Sequence, residues 1–163
     1  MTITTLLFFA IFGVVAGLSE HSMREDNIAQ GITTPLDHTG LLIYRIIVGV
    51  IWMGAVVLYL SMFDHLSWKT FLLIPLGAGA FGIFHRLTIS MAAERGPFYL
   101  GVDSKYDRFF LGLGMDYVYP ESQYHFEAWT ESESYRLRVQ ACAVAVYIIE
   151  LTAVLGSAYI LLP

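Results

Sequence analysis

Residues 70–93 read TFLLIPLGAGAFGIFHRLTISMAA, and the chain's fold turns on what this stretch is. The hydrocarbon core of a bilayer, about 30 Å thick, is crossed by on the order of 20 apolar residues at about 1.5 Å each, with every backbone polar group satisfied inside the segment. The stretch meets that length, and its only ionisable residues, His85 and Arg86, come late in it. Its GAGAFG string, Gly77 to Gly82, matches G-x-G-x-x-G formally. A dinucleotide site needs a strand before that motif and a helix after it, whereas here the motif sits within an apolar run, two residues after Pro75. Gly77, Gly79 and Gly82 instead make a thin helix that neighbours can approach closely, with Pro75 as an expected kink.

Two other stretches, residues 41–63 and 139–162, have spanning length with one interior charge each, Arg45 and Glu150. Residues 1–18, MTITTLLFFAIFGVVAGL, are shorter and end in small residues, like a secretory signal. They carry no Lys or Arg ahead of the apolar run, as a signal's first region does. They are therefore read as a further span, with Gly13 and Gly17 a G-x3-G packing pair. Together the four stretches make up more than half the chain. The expectation is an all-α polytopic membrane protein: one domain over residues 1–163, with four transmembrane helices and an aromatic-rich interfacial cytoplasmic loop at 94–138.

Composition agrees. Of 163 residues, 56% are hydrophobic and 14% charged, with mean hydropathy +0.62, against roughly a quarter charged in a soluble domain. The formal net charge is −5 and the nine Lys and Arg form no run, so the electrostatic footprint of a nucleic-acid binder is missing. Cys142 is the single cysteine, which excludes an intrachain disulfide and any zinc site built on several cysteines. Expected partners are the lipid bilayer and other membrane subunits, with no nucleic acid.

Lys and Arg also set an expected orientation. Loops 19–40 and 94–138 hold Arg24, Arg95, Lys105, Arg108, Arg136 and Arg138, whereas the opposite side holds only Lys69. The positive-inside rule places both loops in the cytoplasm and both termini on the non-cytoplasmic side. Tyr59, Trp68 and Tyr159 then belong to the outer aromatic belt and Tyr44 to the inner one. The turn Asp64–Trp68 is short enough to make the second and third spans antiparallel neighbours. Gly31–Pro35 breaks the chain between an extension of the first helix and the second span. In loop 94–138, Ser104–Gly114 divides Lys105 and Arg108 from Phe109, Phe110 and Leu113, the pattern of a helix lying in the headgroup layer. Pro120 and Ser122 open another helix that runs toward the fourth span, with Glu121, Glu127, Glu131 and Glu133 facing water.

Charges inside a bilayer are costly, so each is paired, snorkelling or functional. Counted from the cytoplasmic ends at about 1.5 Å per residue, Arg45 lies roughly 7 Å deep, His85 and Arg86 roughly 10 to 12 Å, and Glu150 roughly 18 Å. Glu150 is too deep to reach the headgroups and must be protonated or paired. It shares a helix face with Ala143, Val146, Tyr147, Ala153, Val154 and Ser157, a mostly small surface suited to helix contact. Arg45, His85, Arg86 and Glu150 are therefore the candidate site, an inner-leaflet polar pocket for an anionic lipid, a cofactor or a proton. The plainer alternative is a buried ion pair that fixes helix register.

His85 is also the candidate ligand for a haem, but the other histidines, His21, His38, His65 and His125, follow no H-x3-H or E-x2-H spacing, and no metal site is assigned. Glu20, Glu25, Asp26, His21, Asp37 and His38 lie near the cytoplasmic face and could supply a carboxylate and imidazole site, but a solvated acidic loop is the favoured reading of the same residues. No nucleophile with a partnered base, Walker loop or H-E-x-x-H helix is present; no catalytic residue and no specific cofactor is assigned, and an enzyme is not expected. The leading functional expectation is a small membrane subunit with an assembly or scaffolding role in a larger complex, and the alternative is the polar pocket.

Overall fold

The computed structural model describes residues 1–29, 38–62, 67–100, 105–115 and 122–161. The Gly31–Pro35 break, the Asp64–Leu66 part of the turn and Pro120 lie outside them. Among the described residues there is no strand. The helices are α1 (Thr2–Ala29), α2 (His38–Met62), α3 (Leu73–Ala92), α4 (Lys105–Gly114), α5 (Ser122–Glu131) and α6 (Glu133–Leu161), with a 3-10 turn at Trp68–Leu72 leading into α3. Four helical segments are long and apolar enough to cross a membrane: Thr2–Met23, Ile43–Met62, Trp68–Ala92 and Glu133–Leu161.

The helices outrun the apolar stretches because polar residues can continue a helix beyond the apolar run. α1 continues through the acidic segment read as solvated loop and ends at Ala29. Pro75, where a kink was expected, lies near the start of a helix. Leu72 caps α3 and Leu73 is its first residue, so Pro75 falls within the first turn, where backbone N–H groups have no intrahelical acceptor and a missing one costs little.

α3 is the middle of the bundle, with α1 on one side and α6 on the other. Glycine makes both contacts possible. A Cβ on Gly13 would stand 2.8 Å from the Phe81 carbonyl oxygen, and one on Gly17 3.0 Å from that of His85. On the other side, a Cβ on Gly79 would stand 2.7 Å from the Glu150 carbonyl oxygen, and one on Gly82 would strike the Glu150 carboxylate. The buried positions of α1, Thr5, Phe9, Gly13, Gly17 and Glu20, run down one helical stripe. The Phe9 ring fills the space above Gly77.

α2 is held by large side chains rather than by backbone approach. Trp52 stacks on Phe8 at 4.1 Å with ring planes 6° apart, and Val56 is buried with Leu73 and Leu76. At the other end of the fold, Tyr99, Leu100, Leu111, Met115 and Trp129 form a core with Val139, Cys142, Ala143 and Val146 of α6. The aromatic segment is thus a cap packed on the first half of α6. α4 and α5 form as expected, and α5 is separated from α6 by a break at Ser132. Glu127, Glu131 and Glu133 are exposed.

Candidate functional site

Successive residues on a helix point about 100° apart, so His85 and Arg86 leave α3 in different directions. His85 faces α1 and α2; Arg86 faces α6 and α4. The four candidate residues are accordingly brought together as two groups sharing one helix, not as the lining of a single cavity.

In the first group, Arg45 Nη2 donates to Glu20 Oε2 at 2.6 Å. His85 Nε2 lies 3.0 Å from the same Arg45 nitrogen and 3.2 Å from the same Glu20 oxygen. Three helices therefore meet at one carboxylate oxygen, and the Glu20 side chain is only 4% exposed. The His85 ring stacks on Phe81 at 5.3 Å, and the Arg45 guanidinium lies over that ring, 5.6 Å from its centre. Arginine can only donate and an ionised carboxylate can only accept. A bare Nε2 therefore accepts from Arg45, whereas a protonated Nε2 donates to Glu20 and meets Arg45 as a second donor. The two partners are mutually exclusive, and one proton decides between them.

In the second group, Arg86 Nη1 donates to Glu150 Oε2 at 2.7 Å, and Arg86 Nη2 lies 3.6 Å from Asp107 Oδ1. The guanidinium sits over the Tyr147 ring, 5.5 Å from its centre, and the Tyr147 hydroxyl donates to the Pro97 carbonyl at 2.8 Å. Burial holds the Asp107 carboxyl above its ordinary range, while Arg86 pulls it back down. Glu150 is buried with Ala143, Val146 and Ser157, as the small-residue face implied.

Two carboxylates lie outside the four-residue pocket expected from the sequence. Glu20 lay within a run of acids that reads as loop, yet it extends the Gly13 and Gly17 stripe by one turn, and that periodicity was the available signal. Asp107 lies on a different element from Arg86, and no spacing connects them. A third omission is His125, fully buried. Its Nε2 lies 2.6 Å from the Leu100 carbonyl oxygen, which can only accept, so the proton is on Nε2. Its Nδ1 then accepts from the Tyr135 hydroxyl at 2.7 Å. This pins α5 to the segment after α3 and to the start of α6.

No known protein family, curated protein or solved structure matches the chain. Among the described residues no three His, Cys, Asp or Glu side chains converge as a metal ion requires, and the His85 nitrogen that faces the cluster is engaged by Glu20 and Arg45. Both candidate arginines are engaged by carboxylates, and His85 Nε2 stands between a donor and an acceptor, an arrangement that can hold a proton.

Proposed function

We propose that the chain is a multi-pass integral membrane protein that holds and exchanges one proton in the network of Glu20, Arg45, His85, Arg86, Asp107 and Glu150. The shared Glu20 oxygen carries this reading. The network sets three carboxylates and one imidazole against two guanidiniums. With every acid ionised and His85 neutral, Glu20 offsets Arg45 in the first group and the one excess negative charge lies in the second, where Asp107 and Glu150 share Arg86; one added proton makes the six side chains neutral together, the state that a low-dielectric interior favours. An imidazole can both accept and donate, and His85 Nε2 already stands between donor and acceptor. In the orientation given by the positive-inside rule, both termini are non-cytoplasmic and the network lies toward the cytoplasmic leaflet.

The test is nitrogen-detected NMR of histidine-labelled protein in liposomes. His85 Nε2 should exchange between a bare form that accepts from Arg45 and a protonated form that donates to Glu20. Glu20→Gln should shift that population toward the bare form by removing the acceptor, and Arg45→Leu should shift it toward the protonated form by removing the donor. An imidazole that stays in one neutral tautomer, unmoved by either change, overturns the reading.

A second reading, a scaffolding subunit with lipid and other membrane chains as partners, draws on α2. The glycines of α1 and α3 are used within the bundle, but Gly54 on α2 is exposed, with open space where its side chain would be. Mild extraction followed by native mass measurement tests it. Co-purifying chains that dissociate when Gly54 becomes Leu support it, and a monodisperse monomer contradicts it.

A further inference from the structure

α3 ends by reversing the chain. The Glu94 N–H donates to the Met91 carbonyl and the Arg95 N–H to that of Ser90, with Glu94 left-handed at φ 55° and Gly96 at φ 80°, the pattern of a Schellman cap. The following residues turn back along the helices they have just left. Ser90 Oγ donates to the Tyr99 carbonyl at 3.3 Å and the Tyr147 hydroxyl to that of Pro97. α4 is tied at both ends. Asp107 pairs with Arg86 beside the Tyr147 ring, and the α-carbon of Gly114 packs against Cys142 Sγ.

Counted from Val139 at about 1.5 Å per residue, Tyr147 stands about 12 Å, and Cys142 about 4.5 Å, inside the apolar run of the last span. Both ends of α4 therefore lie alongside that run, and α4 descends beside α6 instead of lying flat. Its inner side carries Leu111, fully buried against α6. On the outer side Phe109 is 60% and Leu113 69% exposed, one turn apart on one face.

The geometry points to α4 as a half-span arm whose Phe109 and Leu113 face is covered by phospholipid acyl chains of the cap-side leaflet. At the level of Tyr147 the bundle's outer surface is the surface of the spanning helices, and the arm's outer face continues it. The inference rests on α3 and α6 spanning the bilayer and is independent of any proton in the network.

Spin labels at Phe109→Cys and Leu113→Cys, in a Cys142→Ala background and in phosphatidylcholine–phosphatidylglycerol liposomes, test it by relaxation with oxygen and with a water-soluble nickel chelate. Ile51→Cys on α2 is the lipid control and Glu127→Cys on α5 the water control. The expected result is that both α4 labels follow Ile51, with oxygen contact severalfold above nickel contact. Nickel contact at Phe109 and Leu113 while Ile51 stays with oxygen overturns the arm and leaves the spans standing. Nickel contact at Ile51 as well overturns both. Labels reached by neither reagent mean a protein partner covers the face, which also overturns the proposal. If Cys142→Ala unfolds, Phe109→Trp with bromine-bearing acyl chains gives the same reading: quenching of the added emission supports the arm, and emission unchanged by bromine overturns it.

Discussion

The Glu150 carboxylate rests against the α-carbon of Gly82, in the space that any side chain at position 82 would fill. The α3–α6 approach and the Arg86–Glu150 ion pair are therefore one feature, since the carboxylate can meet Arg86 only where the facing helix has no Cβ. Gly82→Ala should push the helices apart or displace the carboxylate, destabilising the fold by about 2–4 kcal/mol in detergent-unfolding measurements. Gly54→Ala and Gly156→Ala, where a Cβ meets open space, should stay within about 0.5 kcal/mol of the parent.

Arg86 and Glu150 are both buried, at 7% exposure each, and removing either leaves the other's charge in the bundle. Arg86→Leu or Glu150→Leu alone should cost about 3–5 kcal/mol. Arg86→Leu with Glu150→Leu removes both charges and should cost less than the two single changes combined. Additive costs in this double-mutant cycle would mean that the pair is not coupled.

Asp107 gives the cap a pH dependence of known sign. Its folded-state carboxyl is held above the ordinary range by burial, so the folded chain takes up this proton before the unfolded chain does. The group's contribution to stability therefore rises as pH falls through the raised value and is complete below about pH 3.9, the ordinary value. Measured against Asp107→Asn in thermal melts, the parent should gain stability on acidification. A difference that is flat with pH, or of opposite slope, contradicts the burial of this carboxyl.

His125 is a structural histidine. His125→Phe leaves the Leu100 carbonyl and the Tyr135 hydroxyl without their partner and should cost about 2–4 kcal/mol. Tyr135→Phe loses one bond and should cost about 1 kcal/mol. Hydrogen exchange should rise in residues 96–100 and in α5, with the α1–α3 contact unchanged.

Trp52 stacks on Phe8, and its indole N–H is buried with no hydrogen-bond partner among the described residues. Trp52→Phe keeps an aromatic ring for the stack and removes the unsatisfied donor, so it should be neutral or stabilising, whereas Phe8→Ala should destabilise by about 3 kcal/mol or more. A larger loss from Trp52→Phe than from Phe8→Ala would contradict this account of how α2 is held.

The four long apolar helices were legible because chain length and hydropathy decide them, and the role of the glycines because a missing Cβ has one meaning between helices. Helix ends were less so. Polar residues continue α1 to Ala29, and Pro75 is tolerated because a 3-10 turn delays the start of α3. In the site, the depth of Glu150 announced a partner and Arg86 was within reach. Pairing across elements was not legible: Asp107 comes from a segment whose return path is set by the turn at Glu94, and His125 is held by a backbone carbonyl that any residue at position 100 would supply. The difference between His85 and Arg86 follows from helical geometry once α3 is known to lie between α1 and α6, and sequence alone does not give that arrangement.

The proton proposed to pass between the partners of His85 is tested most directly by nitrogen-detected NMR of the protein in liposomes, with the His85 signals assigned from their loss in a folded His85→Gln variant. The parent's signals should show a His85 Nε2 that exchanges between bare and protonated forms, and a folded Glu20→Gln variant should shift that population toward the bare form. A single form unmoved by Glu20→Gln would show that the network exchanges no proton and only fastens the helices.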